Sequence, residues 1–511
     1  MAGAIPANEY SRKKLGIAIF LCIYVPMWLR KEGRINSLFP RFDFCRWDYI
    51  AIIICSIPAF YLLGTPAIYI WDEAVYANAS LDMSHGHSWW VPVQAAYNTK
   101  PPLVLWMQAI SLKIIPWPEW AIRLPSALSV TGILLMMTLA LKRWGFTQYS
   151  RIVVMICFVA NEGFIRHHIS RTGDLDAVMT FFVLGYSLIA LDAIYFNRWS
   201  KHHMLWFFVM MVCAFYSKSI AGWIMLGPLG IVWLLSPMRK VLWSRTFLLG
   251  SFLSLGFCLF YYLTRQMIQP DFLDLAWRSE YLRMFSNVMP WHEHGFGYYF
   301  KNFVTLHTYF PWIILVSTAI AYALFFLKDK PLHEHLIRWI ILALGYLLLI
   351  SIPADKLEWY DAPVYPFFAL ILGTVFAHLS SKISIRWTLW LIPLSLLLFG
   401  KMIFISMDTH PRDPFEYEGA ILRKIQNTDS ISVFMPVVTP EHRLQLDFYR
   451  KVKEYNTGKQ VRLVESIDRI EINDQLIVSP ANLIKIENIF LVDTMRVWEG
   501  LGFQVKIIGR K

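Results

Sequence analysis

The chain has 511 residues, of which 56% are hydrophobic and 16% charged, and its mean hydropathy is +0.44. Soluble proteins carry roughly 25% charged residues, so the composition excludes a soluble multidomain enzyme and predicts a polytopic α-helical membrane protein. The formal charge of +12 does not indicate a nucleic-acid partner, because no basic stretch is interleaved with the aromatic side chains that a nucleic-acid groove needs. We expect contacts with membrane lipids and none with nucleic acid.

Residues 1–48 are predicted to form an amino-terminal extension that contains one short apolar segment, Leu15 to Leu29. Arg30-Lys31 follows this segment where a cleavable signal would have small residues, so we expect no signal-peptide cleavage. About fifteen apolar residues suffice either for a short span or for a helix that lies in the membrane interface. The sequence leaves both alternatives open.

Residues 49–406 are predicted to form a transmembrane domain of about eleven spans, because apolar runs recur throughout this segment. The predicted spans are residues 49–66, 124–141, 152–165, 175–196, 203–217, 220–235, 246–263, 303–327, 337–353, 360–379 and 387–406. Lysines and arginines concentrate in alternate short loops, which predicts that this face is cytoplasmic. The outer face then receives two longer loops, residues 67–123 and 264–302.

Residues 407–511 are more polar, and the helix-like and strand-like patterns that alternate along them predict a small α/β domain. The helix-like stretches are 417–425, 441–454 and 481–489, and the strand-like stretches are 430–435, 461–464, 476–478 and 503–508. An odd number of spans places this domain on the outer face, beside the two longer loops.

The first outer loop carries charged residues at the membrane boundary. Asp72 and Glu73 follow an aromatic run, and Lys100 precedes two prolines. One alternative is structural, since acids at a helix start interact favourably with the helix dipole and lysines at helix ends extend their ammonium groups to the interface. The other is functional, because charges at this depth commonly line a wet cavity and an ammonium group suits a phosphate.

Further charged residues lie at the outer ends of later spans. Asp174 and Asp176 begin one span, and a carboxylate at the depth of Asp176 costs roughly 2.5–3.5 kcal/mol unless it is compensated. Lys218 lies in a short turn between two apolar runs, and Lys356 precedes Tyr360 at another outer end. Separated lysines and aspartates on one face suit an anionic, lipid-linked substrate such as a phosphate or pyrophosphate.

The second outer loop contains the cluster His292-Glu293-His294. Histidine and carboxylate side chains bind zinc and other divalent ions, but this cluster lacks a defined third ligand. We therefore predict no certain cofactor and name His292 and Glu293 as the candidate ligands of a divalent metal.

The order and spacing of these motifs resemble one transferase family. Asp-Glu-x-x-Tyr-Ala at 72–77, Lys-Pro-Pro-Leu at 100–103 and Arg-Leu-Pro-Ser-Ala-Leu at 123–128 are similar to the first outer loop of the C-type membrane glycosyltransferases related to lipid A aminoarabinose transferase and protein O-mannosyltransferase. The later matches are Asp-x-x-x-Thr-Phe-Phe at 176–182, the Lys218 turn, His292 before Tyr298-Tyr299, Phe310-Pro311-Trp312 and Lys356-x-x-x-Tyr360-x-x-Pro363-x-Tyr365-Pro366. The resemblance covers roughly residues 49–375.

The resemblance implies transfer of a sugar from a polyprenyl-phosphate-linked donor to a lipid, glycan or protein acceptor, on the outer face of the bacterial inner membrane. It implies that Asp72 is the catalytic carboxylate for the acceptor and Asp176 a second acidic site residue. The residues implied at the donor phosphate are Lys100, Lys218, Lys356 and Tyr360. Accessory candidates are Glu73, Tyr76, Asp174 and His292.

The chain departs from this family at one position. Aminoarabinose transferases usually have glutamate before Lys-Pro-Pro, whereas this chain has Thr99. Because that glutamate belongs to a metal site with the counterpart of His292, the resemblance does not carry a structural zinc over to this chain.

Two other functions fit part of the pattern. A lipid or solute transporter would place its charges near the bilayer midplane and show repeats, whereas these charges gather on one face and no repeat is evident. A membrane scaffold that displays residues 407–511 would leave the lysines and aspartates unexplained. The sequence favours the glycosyltransferase and leaves the sugar, the acceptor, the stereochemical outcome and the metal requirement open.

Overall fold

The computed structural model describes residues 45–91, 99–165, 168–286, 289–305, 310–382, 391–407, 413–425, 431–436 and 440–511. The predicted apolar segment Leu15 to Leu29 lies outside the described residues. The described residues are mostly helical, with one small sheet near the carboxyl terminus.

Helices occupy most of the chain up to residue 406. They are α1 (Arg46–Phe60), α2 (Asp72–Ser84), α3 (Leu103–Ile114), α4 (Pro118–Arg143), α5 (Gln148–Val159), α6 (Glu162–Ile165), α7 (Asp176–Tyr195), α8 (Lys201–Lys218), α9 (Leu226–Leu234), α10 (Arg245–Ile268), α11 (Phe272–Ala276), α12 (Arg283–Phe285), α13 (Tyr298–Thr305), α14 (Phe310–Phe325), α15 (Lys330–Ser351), α16 (Tyr365–Ser380) and α17 (Leu391–Ser406). Each predicted span overlaps at least one of these helices.

Six helices among the described residues are long and apolar enough to cross a membrane: Pro118–Arg143, Asp176–Tyr195, Lys201–Trp223, Arg245–Ile268, Lys330–Ser351 and Glu358–Ser380. Shorter apolar helices lie at Leu103–Ile114, Gln148–Val159, Ile314–Phe325 and Leu397–Ser406. The chain is therefore a multi-pass α-helical membrane protein, as predicted.

Residues 67–123, which were predicted to form the first outer loop, contain more regular structure than the sequence suggested, since α2 and α3 form within them and α4 begins there. Neither α2 nor α3 is as long as a membrane span, which is why the hydropathy pattern indicated a loop. α2 packs against α3 and against the carboxyl-terminal helix at Leu444–Thr457. The acidic pair Asp72 and Glu73 therefore forms the start of α2.

The membrane helices pack closely around α7, which lies against α4 and α8. Gly373 allows α16 to approach α5, since a Cβ atom there would lie 2.6 Å from the Cα atom of Val154. By contrast, α10 leaves large apolar side chains uncovered, including Phe252 and Met267. This is the surface expected of a helix that faces lipid.

The carboxyl-terminal region forms a five-stranded sheet in the order β2-β1-β3-β5-β4. The strands are β1 (Ile431–Phe434), β2 (Arg462–Val464), β3 (Gln475–Val478), β4 (Phe490–Trp498) and β5 (Gly502–Arg510), and the helices are α18 (Tyr417–Lys424), α19 (Leu444–Thr457) and α20 (Pro480–Glu487). β1 pairs in parallel with β2 and β3, whereas β5 is antiparallel to β3 and β4. The α/β pattern was predicted, but the sequence analysis missed β4, whose side chains are mostly exposed.

The carboxyl-terminal region contacts the helix that carries Asp72. The amide of Asn78 on α2 donates to the Leu444 carbonyl at 2.9 Å, and Lys451 forms an ion pair with Asp82 at 2.6 Å. The Tyr449 hydroxyl accepts from the backbone N–H of Ile68 at 2.9 Å. These contacts join α2 and the segment before it to the carboxyl-terminal region.

Candidate active site

The site begins at two adjacent carboxylates with different surroundings. Glu73 is buried and accepts hydrogen bonds from Arg123 on α4 at 2.6 and 2.8 Å. It also accepts from the backbone N–H groups of Tyr69 and Gly173, each at 2.8 Å. Glu73 therefore has a structural role, because it joins the start of α2 to α4 and to the segment before α7.

Asp72 is exposed at the first turn of α2. Within the described ranges its carboxylate makes no hydrogen bond or ion pair, but it interacts electrostatically with Tyr76, Asp174 and Asp176. Burial and these carboxylates raise the pKa of Tyr76 well above its usual value. Segments that are a hundred residues apart in sequence thus meet around an accessible carboxylate without a hydrogen bond or ion pair in the described ranges.

Asp176 has a partner that compensates for its burial. Both of its carboxylate oxygens accept from the Lys218 ammonium, at 2.6 and 2.7 Å. The same ammonium lies 5.2 Å from the ring centroid of Tyr360. α8 ends at Lys218 because Ser219 adopts a positive φ of 57°. The pair places a fixed cation beside the carboxylates.

His168 completes this side of the site and was missed by the sequence analysis. Its Nδ1 atom lies 3.4 Å from Asp174, whose carboxylate also accepts from the Thr172 hydroxyl at 2.5 Å. The imidazole stacks on Trp359, with ring centroids 3.9 Å apart. Burial alone would lower the pKa of His168, but Asp174, Asp72 and Asp176 outweigh it and raise the pKa above its usual value. We call Asp72, Asp174 and Asp176 the acidic half of the site.

A second cluster surrounds Asp355, which the sequence analysis also missed. The carboxylate lies 3.1 Å from His292 Nδ1, 3.4 Å from Arg283 and 3.4 Å from the Tyr360 hydroxyl. Burial lowers the pKa of His292 below its usual value, while Asp355 opposes this effect and Arg283 adds to it. Asp72 also interacts electrostatically with His292, which places this cluster beside the acidic half.

Lys356 and Lys100 are the remaining predicted cations. The Lys356 ammonium donates to the carbonyl of His294 at 2.8 Å and to the carbonyl of Pro353. It would have to leave these carbonyls to reach a phosphate. The Lys100 ammonium lies 3.5 Å from the buried carboxylate of Glu280. We call Lys100, Arg283, His292 and Lys356 the basic half of the site.

Known proteins resemble the chain in both sequence and fold. The sequence model of the family described as dolichyl-phosphate-mannose-protein mannosyltransferase matches residues 99–262. An undecaprenyl phosphate-alpha-4-amino-4-deoxy-L-arabinose arabinosyl transferase from Pseudomonas savastanoi pv. phaseolicola is 23% identical over 338 residues, which are 65% of this chain and 62% of that protein. The chain thus matches less than two thirds of this relative's length.

The crystal structure of ArnT from Cupriavidus metallidurans bound to undecaprenyl phosphate superposes with a TM-score of 0.65 at 16% identity, and covers 90% of this chain and 98% of that one. Its apo state gives a TM-score of 0.63 at 16% identity, over 90% of this chain and 97% of that one. The chain therefore shares the fold of this membrane protein over most of its length.

The candidate metal position has Thr99 where the family that the sequence resembles usually has glutamate. Thr99 is buried, and its hydroxyl lies 3.4 Å from that of Ser279. Glu293 is exposed, and His292 faces Asp355 and Arg283. Among the residues that the structure describes, no three histidine, cysteine, aspartate or glutamate side chains are arranged to hold a metal ion. These side chains do not fit the metal site that His292 and Glu293 suggested.

The residues that sequence reasoning missed share one property. His168, Glu280, Arg283 and Asp355 lie in or beside irregular segments and are charged or titratable. Of these four residues, only Asp355 has a signal in the sequence, since it directly precedes the predicted site residue Lys356. Their roles depend on contacts that link distant loops, so spacing along the chain does not reveal them.

Proposed function

We propose that this protein is a C-type membrane glycosyltransferase, which transfers a sugar from a polyprenyl-phosphate-linked donor to a lipid, glycan or protein acceptor. The reaction would take place at the outer, periplasmic face of the bacterial inner membrane, as in lipid A modification or protein glycosylation. The observation that supports this most is the position of Asp72, an accessible carboxylate without a cationic partner in the described part of the chain, beside the fixed Lys218–Asp176 pair. An unpaired carboxylate next to cations suits an acceptor on one side and a phosphate on the other.

In the proposed reaction, an acceptor hydroxyl or other nucleophile attacks the anomeric carbon of the sugar. Asp72 orients the nucleophile and accepts its proton as general base. The bond between the anomeric carbon and the phosphate oxygen breaks, and the electron pair leaves with the polyprenyl phosphate. Lys100 and Lys218 stabilise the negative charge that grows on this leaving group.

The other predicted site residues have supporting roles in the proposal. Asp176 fixes Lys218, and Tyr360 lies under its ammonium and beside Asp355. Glu73 holds the start of α2, so that Asp72 faces the site. Tyr76, Asp174, His292 and Lys356 line the remaining walls. We propose residues 49–406 as the catalytic membrane domain and residues 407–511 as an outer domain that supports α2.

A deletion strain tests the proposal whichever sugar is transferred. Mass spectrometry would compare the glycolipids and glycoproteins of cells that carry the wild-type gene, no gene, Asp72→Asn or the control Asp493→Asn, which changes an exposed aspartate on β4. We expect one sugar modification to disappear with the deletion and with Asp72→Asn, and to remain with Asp493→Asn.

Two results would contradict the proposal. A full level of modification in Asp72→Asn, at equal amounts of membrane-inserted protein, would remove Asp72 from the reaction. Uptake of a soluble solute or movement of a polyprenyl lipid by the purified protein in liposomes, without sugar transfer, would favour the transporter instead.

A further inference from the structure

The pair formed by Lys100 and Glu280 suggests how the product leaves the site. We propose that Glu280 is a positioning residue that competes with the polyprenyl phosphate for the Lys100 ammonium, takes this ammonium back after transfer and thereby limits how tightly the product is held. The inference rests on the proposed function, because it assigns a phosphate to Lys100.

Glu280 lies in an unusual backbone segment. Residues 277–282 form a π-helical turn between α11 and α12. Such turns are rare and occur frequently at functional sites. The turn leaves Trp277 and Arg278 exposed but buries the Glu280 side chain, which is 2% exposed. A buried carboxylate at this position needs compensation.

The compensation is incomplete in the described part of the protein. Both carboxylate oxygens of Glu280 are buried without a hydrogen-bond partner there, and the Lys100 ammonium at 3.5 Å is its charged neighbour. The tyrosines that interact electrostatically with Glu280 are Tyr261 and Tyr262. A separation of 3.5 Å is longer than a charge-assisted hydrogen bond of about 2.7–2.9 Å. Lys100 is thus attracted to Glu280 without being bound closely to it.

The backbone of Lys100 is held firmly while its ammonium is not. The Tyr261 hydroxyl lies 2.8 Å from the Lys100 carbonyl oxygen and 3.2 Å from that of Thr99. Arg265 donates to the same hydroxyl at 3.0 Å, and its guanidinium lies 4.1 Å from the ring centroid of Phe272. With the stem fixed, the four-carbon side chain, 27% exposed, is the part that is free to turn toward another anion.

The second lysine pair shows the opposite arrangement. Lys218 contacts both oxygens of Asp176 at 2.6 and 2.7 Å, and only 12% of its side chain is exposed. Lys218 is therefore a fixed charge, whereas Lys100 is the lysine that exchanges partners. The structure assigns these different tasks to two residues of the same type.

The charge of the substrate makes this exchange useful. A donor phosphodiester carries one negative charge, whereas the released phosphomonoester carries about −1.5 to −2 at neutral pH. Cations that bind the donor bind the product more tightly, which slows its release. The buried carboxylate of Glu280 repels both the donor phosphate and the product phosphate. It attracts the Lys100 ammonium when the product departs.

Binding of undecaprenyl phosphate to the purified full-length protein tests the inference without turnover. We expect Glu280→Gln to lower the dissociation constant by about fivefold or more, because the competing charge is gone, and Lys100→Met to raise it. The control Glu487→Gln changes an exposed glutamate on α20 and should leave binding unchanged. In a transfer assay, Glu280→Gln should lower both KM and kcat, since product release becomes slower. Structural damage would weaken binding instead.

The outcomes separate this inference from the proposed function. Unchanged or weaker binding in a folded Glu280→Gln protein, together with a clear loss in Lys100→Met, would overturn the role of Glu280 and leave the donor site in place. Equal binding in the wild type and Lys100→Met would count against the donor site itself. If Glu280→Gln does not fold, Glu280→Asp, which withdraws the carboxylate from Lys100, must give the same tightening.

Discussion

The acidic and basic halves of the site are built on different kinds of backbone. Asp72 and Asp176 are the first residues of α2 and α7. Buried ion pairs fix Glu73, which follows Asp72, to Arg123 and fix Asp176 to Lys218. The basic half lies on the Lys-Pro-Pro segment and on irregular outer segments, and its cations pair with carboxylates or carbonyls of other loops. A rigid acidic half suits an acceptor that must be aligned, and an adaptable basic half suits a phosphate that must enter and leave.

The largest expected effect is on the rigidity of the acidic half. Arg123→Met removes the cation that pairs with buried Glu73, and it also removes the donor to the carbonyls of Leu63, Pro66 and Ala67. Breaking a buried pair from one side costs about 3–5 kcal/mol. We expect a large loss of thermal stability and of folded protein in detergent.

The matched control lies at the predicted cytoplasmic ends of the helices. Arg143 also pairs with an aspartate, Asp192, but 47% of its side chain is exposed, so Arg143→Met should have a much smaller effect. Equal melting temperatures for the two variants would show that the Glu73–Arg123 pair does not hold the acidic half together.

The second prediction compares Lys218 and Lys356, to which the sequence analysis gave the same role at the donor phosphate. Lys218→Met removes a fixed cation beside the carboxylates, and we expect kcat/KM to fall by about 100- to 1000-fold, as for the loss of a preorganised charge partner. Lys356→Met should lower kcat/KM less, because the Lys356 ammonium is already engaged with two carbonyls. Transfer assays at equal amounts of folded protein measure both.

A double variant separates the charge of Lys218 from its structural effect. Lys218→Met leaves the Asp176 carboxylate buried and unpaired. The double variant Lys218→Met, Asp176→Asn removes this unpaired charge but does not restore the missing cation. Recovery of stability without recovery of activity is the expected result. A larger loss in Lys356→Met than in Lys218→Met would reverse the roles of the two lysines.

The same contrast explains what the sequence could predict. Asp72, Lys100, Asp176 and Lys218 lie next to apolar runs, so hydropathy and motif spacing locate them and their common face. Glu280 lies in a loop whose pattern predicts no helix, and its importance comes from a contact with Lys100 across about 180 residues of chain. Tertiary contacts between irregular segments leave no periodic signal. The strand β4 was missed for a different reason, because most of its side chains are exposed and it shows no alternation of apolar and polar residues.

The smallest expected effect concerns His168, at the border of the acidic half. The pKa of His168 is raised in the folded protein because Asp174, Asp72 and Asp176 outweigh burial. A raised folded pKa adds stability that is complete below the unfolded pKa of about 6.5 and is lost as the pH rises through the folded pKa. The difference in melting temperature between the wild type and His168→Gln should therefore be larger at about pH 6 than at about pH 9. The control His202→Gln, which changes an exposed histidine on α8, should show no such trend. If the His168→Gln difference does not change with pH, His168 stabilises the site by stacking on Trp359 and not by its charge.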